Sequence, residues 1–212
     1  MRRLSLLAAA ILLAGCSSTG TTAPPVSSAP AGESAPVGAS ATAGESAPEQ
    51  KPVPVEKNPP GDIPDNIAFV AYTNKTGRYR FTHPEGWAEK TQGSTVTFTD
   101  KLNGVQVMTG AATTPPTVAS AKQEDIPNLE STQAPFELRD VTAVSGLAGA
   151  GVRIVYRRNS APDPVTGRQY RDEVERYELV AGGREVIVEL FGPVGADNVD
   201  AYRTMITSLR FQ

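Results

Sequence analysis

Tyr170-Arg171-Asp172-Glu173-Val174-Glu175-Arg176-Tyr177-Glu178-Leu179-Val180 leads through Ala181-Gly182-Gly183 into Arg184-Glu185-Val186-Ile187-Val188-Glu189-Leu190-Phe191. Two β-prone runs flank a glycine turn, the pattern of a long hairpin. Side chains alternate across a strand, so Val186, Val188 and Leu190 share one face. Tyr177 and Leu179 can face the same side. The opposite face of the first run carries Arg176 and Glu178 and reads as solvated or covered by polar groups.

The same alternation extends outward from this hairpin. Short β-prone runs occupy 69–73 and 78–82, and 95–99 places Val96 and Phe98 on one face. Residues 100–104 supply a turn ending in Asn103-Gly104, and Val105, Val107 and Thr109 continue beyond it, so a second hairpin is expected. Runs at 136–144 and 152–158 read as strands joined by 145–151. A helical candidate covers 117–129, after Pro115-Pro116 and interrupted near Pro127. The last helix is better specified. Asp197 suits an N-cap, Asp200 suits the helix dipole, and Val199, Tyr202, Met205, Ile206 and Leu209 make one apolar stripe. About eight strands with interposed helices predict an antiparallel α+β domain.

Composition sets the limits of that domain. All thirteen aromatics of the 212 residues lie at or after Phe69, and nine of the eighteen prolines lie between Pro24 and Pro60. A tract with no aromatics and that much proline cannot bury enough apolar surface to offset chain entropy. Residues 61–212 are therefore expected to hold the folded domain. Residues 16–60 read as a disordered Pro/Ser/Ala/Thr-rich tether, in which Ala31-Gly32-Glu33-Ser34-Ala35-Pro36 recurs as Ala43-Gly44-Glu45-Ser46-Ala47-Pro48.

Residues 1–15 read as a signal peptide. Arg2 and Arg3 precede an apolar run at 4–14, whose eleven residues are too short to span a bilayer. The run ends Leu13-Ala14-Gly15-Cys16, which resembles the lipobox of bacterial lipoproteins. That resemblance implies cleavage before Cys16 and attachment of diacylglyceryl and acyl chains such as palmitate to it. It also implies an exported chain, lipid-anchored to the outer face of the bacterial cell membrane. Two chains hold stably where one gives only marginal attachment.

The run Gly77-Arg78-Tyr79-Arg80-Phe81-Thr82-His83-Pro84-Glu85-Gly86-Trp87 resembles a strand and the Pro-x-Gly-Trp turn of PsbP-like proteins. A hairpin with Asp100 at its turn and the terminal run 202–211 fit as well. That family includes the photosystem II subunit PsbP, a Ran-binding import factor and cell-envelope lipoproteins of the LpqN type, and the lipobox makes the last group the nearest in kind. The resemblance implies a PsbP-like α/β/α sandwich, an antiparallel sheet of about six to eight strands with helices on its faces. It also implies a binding or assembly module without catalysis.

Candidate sites are few. One cysteine and one histidine, 67 positions apart, exclude a disulfide framework, a zinc site and haem or iron–sulfur ligation. Residues 61–212 carry 16 Lys+Arg and 19 Asp+Glu, with no basic concentration for nucleic acid. His83, Pro84, Gly86 and Trp87 read as a structural turn, with no Ser-His-Asp arrangement around them. Glu173 and Glu175, two apart on a strand, read as a solvated face with Arg171 as partner. Arg157, Arg158, Asp163, Arg168 and Arg171 form the most distinctive exposed surface, a candidate for a partner protein or an anionic headgroup. No catalytic residue, metal or cofactor is expected. The leading expectation is a non-enzymatic envelope lipoprotein that binds an envelope protein or assists assembly. The alternative is a carrier of a lipid or other apolar ligand in a pocket between sheet and helix. A hydrolase has the least in its favour.

Overall fold

A computed structural model describes residues 50–55 and 61–212, all within one unit spanning Ala47–Gln212. The signal core, Cys16 and the repeats of the tether lie outside the described residues. In chain order the strands are β1 (Phe69–Asn74), β2 (Tyr79–Pro84), β3 (Ala88–Gln92), β4 (Thr95–Asp100), β5 (Asn103–Gly110), β6 (Glu137–Val144), β7 (Ala150–Asn159), β8 (Arg171–Ala181), β9 (Arg184–Pro193) and β10 (Arg210–Phe211). The helices are α1 (Val118–Ser120), continued by a π-helical turn Ala121–Asp125 into α2 (Ile126–Thr132), and α3 (Val199–Ser208).

Seven strands form one antiparallel sheet in the order β3-β4-β5-β9-β8-β7-β6, and β1-β2-β10 form a second sheet of three. The quoted hairpin is β8–β9, with its turn at Gly182 and Gly183, both at positive φ (58° and 76°). Two left-handed residues match the right-handed twist of the strands they join, and glycine adopts them without strain.

Register gives the sheet its two faces. Tyr177 pairs with Val188, Leu179 with Val186, Val105 with Leu190 and Phe98 with Val105, so these side chains stand on one face. They bury against Tyr202, Met205, Ile206 and Leu209 of α3 and its C-cap, together with Tyr79 and Phe81 of the small sheet and Trp87. Each fully buried side chain of this size contributes about 1.5–3 kcal/mol. On the opposite face Val152, Ile154, Tyr156 and Val174 pack with Ala121 and Leu129 from the helical segment 118–132. The expected antiparallel α+β class with helices on both faces therefore holds, with a second small sheet added on the α3 side.

Local differences from the sequence reading have physical causes. The turn of the β4–β5 hairpin is Lys101-Leu102, with Lys101 left-handed at φ 51°, and Asn103 and Gly104 already belong to β5. The helical segment does not break at Pro127. Proline lacks an N–H and crowds the carbonyl of the preceding turn, and the π-helical turn just before it relieves that conflict. The N-cap of α3 is Asn198 instead of Asp197, and Val199 is exposed, outside the stripe that buries Tyr202, Met205 and Ile206.

Arg176 and Glu178 are not solvated. Glu178 is 2% exposed and Glu189, opposite Arg176 on β9, is 3% exposed. Arg176 donates to Glu189 at 2.6 Å and to Glu178 at 2.5 Å, and Tyr156 donates to Glu189 at 3.1 Å. Arg176, Glu178, Glu189 and Tyr156 thus satisfy one another beneath the helical segment.

Candidate functional site

The charged stripe runs to the end of the sheet where β7 stops and β8 starts. There a recess of about 350 Å³ opens, walled by Gln133, Arg158, Asn159, Ser160 and Gln169, with Gln50 at its side. Gln133 is the C-cap of α2, so helix, strand and loop meet here. Arg158 donates to Gln133 at 2.6 Å, lies 3.7 Å from Glu189 and stacks over Phe191 with 5.4 Å to the ring centroid.

Asp172 pairs with Arg158 in the β7–β8 register and is 3% exposed, with its Oδ1 unpartnered. Burial pushes its carboxyl up to about 7, against the pull of Arg158 and Arg171. Burial likewise raises Glu178, although Arg176 opposes it. Burial also works against the charge on Arg176, but Glu189 and Glu178 outweigh it and raise the guanidinium above its ordinary value.

The five residues read as one exposed surface divide into three groups. Arg158 lines the recess, whereas Arg171 lies behind it, opposite Asn159 in the β7–β8 register. Arg171 is 5% exposed, a correction to its expected exposure, and donates to the Pro135 carbonyl (2.7 Å), Glu137 (3.1 Å) and Asn159 (3.4 Å). Arg157 lies on the other face of β7, paired with Glu173 at 2.9 Å, because neighbours on a strand point to opposite sides. Asp163 and Arg168 sit in the 160–170 loop. The Asp163 carboxylate accepts from the Thr166 N–H (2.7 Å), the Thr166 hydroxyl (2.8 Å) and the Val165 N–H (3.1 Å), which lowers its pKa. Arg168 stacks over Tyr170 at 4.7 Å.

Sequence reading missed Gln133, Asn159 and Asp172. Asp172 alternates in phase with Val174, Arg176 and Glu178, which would have placed it on the charged face. Gln133 and Asn159 carry no such signal, since a lone amide at the end of an element is common. The recess presents amides, the Arg158 guanidinium and the hydroxyls of Ser160 and Thr132, a set rich in hydrogen-bond donors and acceptors. Among the described residues no cluster of three His, Cys, Asp or Glu comes together to hold a metal ion.

The other singled-out residues lie away from this recess. Glu173 is held by Arg157, and Glu175 by Arg153 at 3.0 Å, while Arg171 turns instead to Glu137. His83 and Pro84 end β2, Gly86 makes the reversal at φ 83° and Trp87 is buried. The His83 ring is 8% exposed, stacks on Phe98 with centroids 3.9 Å apart, and has Nδ1 2.9 Å from the Pro84 carbonyl.

Burial lowers the pKa of His83, despite the Pro84 carbonyl and Glu89. The unfolded chain therefore binds the proton more readily. The stability from neutral His83 is complete above the unfolded value of about 6.5 and is lost as pH falls through the folded value. We expect the denaturation midpoint to drop between pH 7.5 and pH 5 and to drop less in His83→Gln. Equal slopes in the two chains would refute this assignment.

No protein-family model matches the chain, and no curated protein matches it. Solved structures do. The chain is similar to a protein from Bacteroides thetaiotaomicron at 10% identity and TM-score 0.41, covering 67% of this chain and 48% of that one, so it spans about half the length of that protein. It is similar to cyanobacterial PsbP (CyanoP) from Synechocystis sp. PCC 6803 at 15% identity and TM-score 0.49, over 72% and 99% of the two chains. It is also similar to the Ran-binding protein Mog1p of Saccharomyces cerevisiae at 8% identity and TM-score 0.47, over 69% and 96%.

Proposed function

We propose that this chain is an exported lipoprotein of the cell envelope, anchored to the membrane through acyl chains on Cys16. Its C-terminal domain is a non-catalytic module that binds a partner protein or assists envelope assembly. The observation that carries the reading is Leu13-Ala14-Gly15-Cys16 at the end of a short apolar run behind two arginines.

The alternative, an apolar carrier, needs a roomy chamber between sheet and helix. The interface of the seven-stranded sheet with α3 is filled by Tyr177, Leu179, Tyr202 and Met205, the hollow beside Glu173, Gly192 and Tyr202 measures about 60 Å³, and the hollow of about 360 Å³ between α3 and Phe69 is edged by Asp65, Asp197 and Asp200. Ligand pockets start at about 300 Å³. The recess at Arg158 and Asn159 and the hollow at α3 are both large enough, but their polar walls suit a hydrogen-bonding partner and not a lipid tail.

Cell fractionation tests the anchor. The unaltered chain should sediment with membranes and carry the mass of its acyl groups on Cys16, and Cys16→Ala should move to the soluble fraction. An unaltered chain in the soluble fraction, or a Cys16→Ala chain still on membranes, would end this reading.

A further inference from the structure

Among the described residues three asparagines are buried, and all three hold the chain that leads into β1. Asn198 accepts from the Ile63 N–H at 2.8 Å and donates to Asn103 at 2.9 Å, and Asn103 donates to the Gly61 carbonyl at 2.6 Å. Gly192 leaves room for this pair. A Cβ there would lie 3.0 Å from both the Asn198 amide nitrogen and the Tyr202 hydroxyl. The third asparagine, Asn159, does its holding ten residues earlier. It donates to the Lys51 carbonyl at 3.0 Å and accepts from the Val53 N–H at 3.1 Å.

That pair of bonds has a specific meaning. A carbonyl at one residue and an N–H two residues on point to the same side of an extended chain, and a neighbouring strand uses the same two groups in a parallel ladder. The Asn159 amide, with one donor and one acceptor in its plane, takes the place of that strand. The peptide it grips is Lys51-Pro52-Val53-Pro54-Val55. Prolines at 52 and 54 have no N–H to lose on the side away from the clamp, and their fixed φ pre-orders the extended form. Val53 supplies the one N–H the clamp needs. The recess walled by Gln133, Arg158 and Gln169 opens next to this grip, with Gln50, the residue before the strap, lining it.

We propose that Asn159 forms a docking clamp for an extended, proline-punctuated peptide at the edge of the recess, and that the chain's own Lys51–Val55 occupies the clamp in cis. Recognition is through the peptide backbone, with prolines on either side of the single donated N–H, the same economy used by other grooves that take polyproline-like ligands. The clamp holds Lys51 and Val53 where β7 ends. A partner carrying a segment of the same kind would compete with the strap. The proposal stands on the domain alone and does not depend on Cys16 being lipidated, so the fractionation above and the experiment below fail separately.

The test is amide exchange and side-chain NMR on the whole chain from residue 16, with Cys16→Ala to keep it in solution. The Val53 amide should exchange at least ten-fold more slowly than in a synthetic peptide of residues 47–57. Val53→Pro removes the donor while keeping an extended backbone and leaving every residue of the domain itself unchanged. It should shift the Asn159 side-chain amide resonances, and adding the 47–57 peptide at millimolar concentration should move them back toward their original positions. A Val53 amide that exchanges at the free-peptide rate, or Asn159 resonances that ignore both the substitution and the added peptide, would overturn the proposal.

Discussion

Arg176→Met is expected to remove about 3–5 kcal/mol of folding free energy, a large share of the 5–15 kcal/mol that holds an ordinary domain together. The size follows from what the substitution leaves behind. Arg176 donates to both Glu178 and Glu189, each 3% exposed or less, near the middle of the seven-stranded sheet. Glu189 keeps Tyr156 and a longer contact to Arg158, whereas Glu178 sits opposite Ile187 on β9 and Val152 on β7 and keeps no cation of its own at ion-pair distance. A buried carboxylate without its cation costs far more than the pair contributes. Two further results would identify charge and not lost packing as the cause. Arg176→Met/Glu178→Gln/Glu189→Gln should regain at least half of the loss, since no charge is then stranded. The deficit of the single variant should also shrink on acidification, because its carboxylates can take up protons. Urea midpoints at pH 5 and pH 8 measure both. A single variant within about 1 kcal/mol of the unaltered chain would contradict the account.

The buried charges also mark where sequence reading reached its limit. The β8–β9 hairpin was legible because its apolar residues alternate and two glycines separate the runs. The polar half of that alternation was ambiguous. A strand face bearing Arg176 and Glu178 has the same pattern whether it meets water or meets Glu189, Arg158 and Tyr156 under a helix. Only the pairing of β8 with β9, which puts Arg176 opposite Glu189, separates the two cases. β3 was missed for the opposite reason. All five of its side chains are exposed, so it has no periodicity to detect and is held through backbone pairing to β4.

The candidate site was half legible. Arg157 and Arg158 are adjacent, and the pleat alone dictates that they part to opposite faces. Asn159 is different. Its role depends on bonds to residues 106 and 108 positions away in sequence, which no local pattern encodes. The same holds for Asn103 and Asn198, whose partners lie at Gly61 and Ile63.

Asp172→Asn is expected to stabilise the domain at pH 8. Asp172 is buried with one oxygen unpartnered, and its pKa rises from 3.8 to about 7. A raised carboxylate pKa means that the folded chain holds the proton where the unfolded chain has released it. Stability therefore falls as pH climbs from the unfolded value through the folded one, and the cost is complete above the latter. A shift of this size corresponds to at most about 4 kcal/mol, and partial compensation in the variant should leave about 2–4 kcal/mol. Asparagine keeps the shape and removes the ionisation. The two chains should match near pH 4, diverge through the window between the two values, and differ fully by pH 8. Arg158 and Arg171 argue for the opposite outcome, since the carboxylate is their neighbour. Each has other partners, Gln133 and Glu189 for Arg158, and Glu137 with the Pro135 carbonyl for Arg171, so neither is stranded when Asp172 is neutralised. Denaturant midpoints for both chains across pH 4–8 decide the matter. A variant less stable than the unaltered chain at pH 8 would mean that the attraction of the two arginines outweighs burial, and that Asp172 is ionised in the folded domain at neutral pH.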